Sequence, residues 1–242
     1  MKKTAHILCL DPKGPNGLEE WEQMDYASLV SGEPVQHGHL YHAIADKGYM
    51  VGVWDCSAFT DKMMQYTVDE YMFLLEGDIT MALPDGQEIK VQAGDAFVIP
   101  KGFVCQWKQH NYVKKYFMIV DASVPEAKNI SLQRITIIDL SQSKNTVNLS
   151  RSQTEFLNAE GTMWVEIQSF GAMSRPFMKV SENRLINVCG GSLKLGDGVE
   201  TFNFIEGDTV YLRQDDKVSF ETTESTQLLV ASFYNPAKVK FG

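Results

Sequence analysis

The stretch Tyr66-Thr-Val-Asp-Glu70-Tyr-Met-Phe-Leu-Leu-Glu-Gly77-Asp-Ile-Thr-Met-Ala-Leu-Pro-Asp-Gly86-Gln-Glu-Ile-Lys-Val-Gln-Ala-Gly94-Asp-Ala-Phe-Val-Ile-Pro100-Lys-Gly102-Phe-Val-Cys105-Gln-Trp107 decides the fold. Ile79, Met81 and Leu83 alternate with polar or small residues, as do Ile89, Val91 and Ala93. Side chains of a strand point to opposite faces in turn, so this period marks two strands with one buried face each. Asp85-Gly86 lies between them, and Asp-Gly between alternating apolar runs is a hairpin signal because glycine accepts the positive φ of a tight turn. Gly77, Gly94-Asp95 and Pro100-Lys101-Gly102 punctuate the other strand ends. Short, closely spaced strands with no helical period between them predict an antiparallel barrel or sandwich.

Outward from this stretch the same grammar continues. Val113–Val120 is apolar at nearly every position after Lys114-Lys115, which predicts a strand buried on both faces. Val51-Gly-Val-Trp54 with Ala58-Phe59, and Ile135-Thr-Ile-Ile-Asp-Leu140, supply further strand material. Residues 122–129 read as a connection, and residues 141–152 as a polar, exposed one. Residues 11–36 carry Pro12, Gly14, Pro15, Gly17, Gly32 and Pro34, and Leu18 to Tyr26 between them fits either a short helix or an extended arm. In His37-Gly-His39-Leu-Tyr-His42, strand parity puts His37 and His39 on one face and His42 on the other, which argues against a three-histidine metal site.

The second half repeats the first. Val188-Cys-Gly-Gly191-Ser-Leu-Lys-Leu parallels Leu74-Leu-Glu-Gly77-Asp-Ile-Thr-Met, and Ile205-Glu-Gly207-Asp-Thr-Val-Tyr-Leu parallels Gln92-Ala-Gly94-Asp-Ala-Phe-Val-Ile. Gly191 follows Gly77 by 114 residues and Gly207 follows Gly94 by 113, a near-constant offset that marks a duplication.

Glu70, six residues, then Gly77 resembles the end of the first cupin motif; Gly94, five residues, Pro100, one residue, Gly102 resembles the second. With Gly52-Val-Trp54, Asp69-Glu70, Trp107 and Lys114-Lys115-Tyr116, residues 40–120 resemble the cupin subfamily that includes ureidoglycine aminohydrolases and ethanolamine-utilisation Q-type proteins. The resemblance implies an all-β bicupin: two tandem double-stranded β-helix (jelly-roll) barrels, residues 1–125 forming an N-terminal arm plus the first and residues 126–242 a second, degenerate one. It also implies homodimerisation, a habit of the family, for which uncovered sheet edges give a physical reason.

Metal-bearing cupins offer two histidines and a glutamate from the first motif and a histidine from the second, a set suited to Mn, Fe, Ni or Zn. Carried over position by position, only Glu70 remains; the histidine positions fall on Met64, Tyr66 and Cys105. A metal would therefore rest on Glu70 and Cys105, the latter as a thiolate. Strand parity groups Met64, Tyr66, Glu70, Met72, Cys105 and Trp107 on one face, which by the resemblance is the barrel interior. Such a face forms an apolar pocket ending on a carboxylate, with Glu70 as acid or base, Tyr66 as hydrogen-bond donor, and Met64, Met72, Cys105 and Trp107 against the ligand. In the second half the offset replaces Glu70 by Arg184, Tyr66 by Val180, Met64 by Met178 and Cys105 by Val218, which leaves no metal donors.

The function expected is thus binding of a small polar or acidic metabolite in the first barrel, with ureidoglycine-aminohydrolase-like or other processing of it, or else a non-catalytic structural or regulatory bicupin. The net charge of −9 argues against nucleic acid as a partner, and no apolar run is long enough to span a bilayer. The apolar run behind Lys2-Lys3 stops at Asp11-Pro12, too soon for a secretory signal. Four cysteines without a CxxC pair read as thiols of a reducing, cytoplasmic compartment.

Overall fold

The computed structural model describes residues 7–121, 134–140, 150–223 and 225–235. Their regular structure is strand apart from two single-turn 3-10 helices, Tyr26–Ser28 and Ala45–Lys47. They form two compact units: residues 11–138, and residues 139–242 together with residues 1–10.

The first unit is a barrel of two sheets. One runs in the order Thr136–Ile138, Ala96–Ile99, Asp69–Glu76, Val113–Val120, Tyr49–Cys56, Gln36–Ile44, Glu19–Glu20. The other runs Glu88–Gln92, Asp78–Ala82, Val104–Gln109, Phe59–Asp61, Leu29–Ser31, with Met64–Gln65 also paired to Val104–Gln109. The hairpin at Asp85-Gly86 forms as its sequence predicts: Gly86 has φ 85°, Gln87 N–H is held by the Asp85 carboxylate at 3.0 Å, and Ile79, Met81 and Val91 point into the core. Trp54, Met72, Phe97 and Phe117 of the first sheet pack against Ile79, Met81, Cys105 and Trp107 of the second. Val113–Val120 is the central strand, paired on both sides, so its near-continuous apolarity is used on both faces.

The second unit repeats this plan, and its strand order supports the duplication. Thr209–Leu212, Asn183–Gly190, Thr226–Phe233, Met163–Phe170 and Arg151–Leu157 stand in the order of Ala96–Ile99, Asp69–Glu76, Val113–Val120, Tyr49–Cys56 and Gln36–Ile44. The repeated glycines have one physical reason. Gly77 and Gly191 both have positive φ, 80° and 70°, and a Cβ there would meet Tyr112 O at 2.2 Å or Thr226 Cα at 2.7 Å.

One open alternative is decided and two expectations change. The segment Leu18 to Tyr26 is extended, then one 3-10 turn: Glu19–Glu20 pairs with His37 and Gly38, and Trp21 packs edge-on against Phe117. A β-bulge between Leu40 and His42 shifts the register, so His37, His39 and His42 lie opposite Asp55, Val53 and Val51. Those partners share one strand face, and the bulge therefore brings His42 to the face of the other two histidines. His37 Nδ1 meets Asp55 Oδ1 at 3.0 Å, and the other two rings pack edge-on against Tyr41 and Tyr49. The unit boundaries also differ from a split at residue 125. Ile7–Cys9 pairs with Val210–Leu212 in the sheet of the second unit, while Thr136–Ile138 pairs with Ala96–Val98 in the sheet of the first. Each strand covers an edge that would otherwise expose unpaired backbone. The connection over residues 122–129 and most of the polar segment 141–152 lie outside the described residues.

Ile7 is 3 % exposed within the core of the second unit. Ile7→Ala is expected to cost about 2–5 kcal/mol, the usual range for a buried Ile truncation. Hydrogen exchange locates the effect: amides of Val210–Leu212 lose protection while those of Ala96–Ile99 keep theirs. Uniform loss over both units would contradict this assignment.

Candidate functional site

The interior of the first barrel holds two opposite charges in contact. Lys115 enters it because odd residues of its strand, Val113, Lys115, Phe117 and Ile119, face the core. Its cross-strand neighbours are Trp54 and Leu74. Lys115 Nζ donates to Glu70 Oε1 at 2.8 Å, and the two side chains are only 8 % and 6 % exposed. Nζ also lies 3.1 Å from Met72 Sδ and 4.8 and 4.9 Å from the ring centroids of Trp54 and Trp107. An ammonium held between two indole faces and a carboxylate is stabilised by ion pairing and by the ring quadrupoles together. The Tyr66 hydroxyl donates to the second carboxylate oxygen, Glu70 Oε2. Burial, then the Glu70 charge, holds the Tyr66 phenol well above its ordinary pKa, so it is a proton donor rather than a phenolate.

The indoles are fixed by their own N–H groups. Trp54 Nε1 donates to Gln36 Oε1 at 2.9 Å, and Trp107 Nε1 to Gln109 Oε1 at 2.9 Å. Gln109 is anchored in turn on the carbonyls of Cys56 and Ser57. The ring faces are thereby left for Lys115 and for a cavity of about 330 Å³, open to solvent. Its walls are Trp54, Phe59 and Trp107 with Met24, Leu29 and Met64; its polar groups are Asp25, Ser28, Gln36, Asp61, Tyr66 and Lys115. Phe59 and Trp107 lie parallel, their centroids 6.5 Å apart.

Asp61 is the second carboxylate of the site. Its Oδ1 accepts the Trp107 backbone N–H at 2.6 Å. Burial raises its pKa to about 6, against the lowering effect of that bond. A carboxyl shifted toward neutrality in a cleft is the kind of group that marks a functional site.

The residues expected from sequence divide into two shells. Tyr66, Met64 and Trp107 line the cavity, Met64 at the rim with 38 % exposure. Glu70, Met72 and Cys105 do not line it. Glu70 lies behind Tyr66 and Lys115, which take its two oxygens, so the cavity ends on a hydroxyl and an ammonium rather than on the expected carboxylate. Met72 and Cys105 are core residues, 0 % and 3 % exposed. Burial, then the Asp61 charge, raises the Cys105 thiol to about 12, which makes it a poor thiolate ligand. Sequence reasoning did not single out Lys115, Asp61 or Gln36. The parity of Val113–Val120 carries the signal for Lys115, whereas nothing local to Asp61 announces it.

The donor set does not fit a cupin metal. Glu70 is engaged on both oxygens, Cys105 is held as a thiol, Met64 is exposed at the rim, and an ammonium stands beside the carboxylate where a cation would bind. Among the described residues no three His, Cys, Asp or Glu side chains come together as a metal-binding group, and no helix is long and apolar enough to cross a membrane.

Residues 45–117 match the EutQ-like cupin domain. No protein of curated function matches the chain. Among solved structures, a protein of unknown function of the DUF861 family from Pseudomonas syringae superposes with a TM-score of 0.73 at 16 % identity, over 95 % of this chain and 100 % of its own. A cupin 2 conserved barrel domain protein from Leptotrichia buccalis gives 0.58 at 13 % identity, over 89 % and 97 %. Salicylate 1,2-dioxygenase from Pseudoaminobacter salicylatoxidans, with gentisate bound, gives 0.51 at 11 % identity, over 76 % and 68 %. At such identities the likeness is one of fold, and the fold is that of a tandem cupin.

Glu70→Gln leaves a buried ammonium without its counter-charge and is expected to cost about 3–5 kcal/mol, whereas Glu70→Gln with Lys115→Met restores most of that loss. Denaturant unfolding of the two single variants and the pair measures it; additive losses would show that the charges do not depend on each other. In the same fold Cys105 resists iodoacetamide at pH 8, a pH well below its thiol's pKa of about 12. Mass spectrometry of the labelled native protein detects the contrary result, prompt alkylation of Cys105.

Proposed function

We propose that the first barrel binds a small nitrogenous metabolite, an amine, amide or ureido compound with a flat or apolar body. The carrying observation is the placing of Asp61 in a cavity walled by Trp54, Phe59 and Trp107. Charge supports the reading. Glu70 neutralises Lys115 within the barrel wall, so the carboxylates Asp61 and Asp25 leave the cavity with an excess of acceptors. A ligand N–H or ammonium meets Asp61, a ligand carbonyl meets the Tyr66 hydroxyl or Lys115, and the aromatic rings bury the remainder. A ureido group, the kind of ligand implied by the resemblance to ureidoglycine aminohydrolases, offers both N–H groups and a carbonyl. Glu70 acts through its neighbours: it fixes Tyr66 and Lys115 without reaching the ligand.

A second reading is catalytic, and the Asp61 pKa of about 6 favours it. A carboxylate titrating near working pH is suited to take a proton from an attacking water, while Tyr66 and Lys115 hold charge developing on a carbonyl oxygen. Turnover of a bound amide, lost in Asp61→Asn, separates catalysis from simple binding.

Benzylamine, benzamide and benzoate probe the site through quenching of the Trp54 and Trp107 fluorescence. Benzylamine and benzamide are expected to bind and benzoate to be excluded. Asp61 is charged above about pH 6 and neutral below it, so benzylamine affinity falls as pH drops from 7 to 5. Loss of one charge-assisted hydrogen bond corresponds to about tenfold. Asp61→Asn gives the weak, pH-independent affinity throughout. Tight benzoate binding in this cavity, or an unchanged pH profile in Asp61→Asn, would sink the proposal.

A further inference from the structure

The chain contains five arginines, all after residue 133: Arg134, Arg151, Arg175, Arg184 and Arg213. Three of them, Arg151, Arg175 and Arg184, line one cavity of about 260 Å³ in the second barrel. Its walls include Phe170 and Phe220, whose rings meet edge-on at 5.3 Å. Among the described residues no carboxylate lines it. In a chain of net charge −9 this is a local reversal of sign.

Arg184 holds the key position. Its register, opposite Leu212 and Ser232, is that of Glu70 opposite Ile99 and Ile119 in the first barrel. The position of Lys115 is taken by Leu228, opposite Val188. At the two positions that hold a carboxylate and an ammonium in the first barrel, the second has a guanidinium and an apolar side chain. Arg184 Nε donates to Glu182 Oε1 at 2.6 Å, and Nη2 reaches the same oxygen. That carboxylate orients the fork and leaves its other N–H groups free for a ligand. Arg151 makes only a long bond, 3.4 Å, to Gln153, and Arg175 makes no hydrogen bond or ion pair among the described residues. After subtraction of Glu182, two positive charges remain at the cavity. Arginine rather than lysine suits a planar anion, because its rigid fork matches both carboxylate oxygens.

We infer that the second barrel is itself a binding site, for a small organic acid with an aromatic or branched apolar body. Its carboxylate groups meet Arg175, Arg151 and the free edge of Arg184; its body packs on Phe170 and Phe220. The half whose motif positions carry Arg184, Val180, Met178 and Val218 has a site of opposite charge preference to the first.

Phthalate, a flat dicarboxylate, is the probe, followed by calorimetry and by the methyl resonances of methionine. Saturable binding is expected, with the Met178 methyl, at the wall of this cavity, shifting and that of Met64 in the first barrel still. Arg175→Ala removes an exposed side chain with no structural bond and is expected to weaken binding by about tenfold or more, the effect of one charged hydrogen bond. Arg184→Lys keeps the charge and loses the fork, with a similar loss expected. Lys179→Ala, which removes an exposed charge paired with Asp215 outside the cavity, leaves affinity unchanged. Neutral phthalamide fails to bind. Equal weakening by Lys179→Ala and Arg175→Ala would reduce the effect to general charge and overturn the site. So would a shift of Met64 in place of Met178, or inorganic phosphate binding as tightly as phthalate.

Discussion

A carboxylate and an ammonium, Glu70 and Lys115, meet at 2.8 Å inside the first barrel, each less than a tenth exposed. Neither ion is tolerable there alone, since removing a charge from water costs several kcal/mol that only a close partner offsets. The rest of the site follows from that requirement. The ammonium needs acceptors on its remaining sides and finds Met72 sulfur and the faces of Trp54 and Trp107. The carboxylate needs a donor for its second oxygen and finds Tyr66. Those four side chains surround the pair, the indoles held also by Gln36 and Gln109, and three of them, Trp54, Trp107 and Tyr66, are cavity walls. The ion pair shapes the pocket and enters it only through Lys115.

The same pair accounts for the difference between the two halves. Where Lys115 has become Leu228, a glutamate in the place of Glu70 would be a lone buried charge. The second barrel has Arg184 there instead, half-exposed and steadied by Glu182. Asp25 and Asp61 line the first cavity and Arg151, Arg175 and Arg184 the second, so one is rich in acceptors and the other in donors. Duplication supplied two equivalent frames, and the charges at their centres set what each attracts.

Most of the frame was legible in the residues. The alternation through Ile79–Leu83 and Ile89–Ala93, the Asp-Gly turn and the paired glycine landmarks are all local signals, and strands, hairpin and repeat follow them. The site was legible in part. Parity assigned Tyr66, Glu70 and Trp107 to the interior, where they stand, but it does not report depth, so Glu70 and Cys105 were expected at a surface they lie behind. Lys115 sits in an apolar run beside Lys114, and the pair invites reading as a solvated strand end. Parity turns Lys115 in and leaves Lys114 near Asp55 and Glu76, but the ion pair across strands that makes a buried lysine tolerable is not encoded in local sequence. Asp61 becomes significant through Trp107, 46 residues away. The bulge that brings His42 round to the face of His37 and His39 breaks the period on which parity depends.

The edge strands have a consequence for how the chain is made. Ile7 lies opposite Leu212, so a strand that precedes the whole first barrel in the chain joins a sheet made of segments that follow it. Folding from the N-terminus onward can complete the first barrel only once Thr136–Ile138 has emerged, and all that time Ile7–Cys9 has no native partner. Closing that contact late, across some two hundred residues, raises the contact order and slows the last step. The consequence is topological: a cut after residue 138 keeps the first barrel whole but takes Ile7–Cys9 from the edge of the second. The two barrels are repeats in structure, yet only the first is one continuous segment of sequence, residues 11–138.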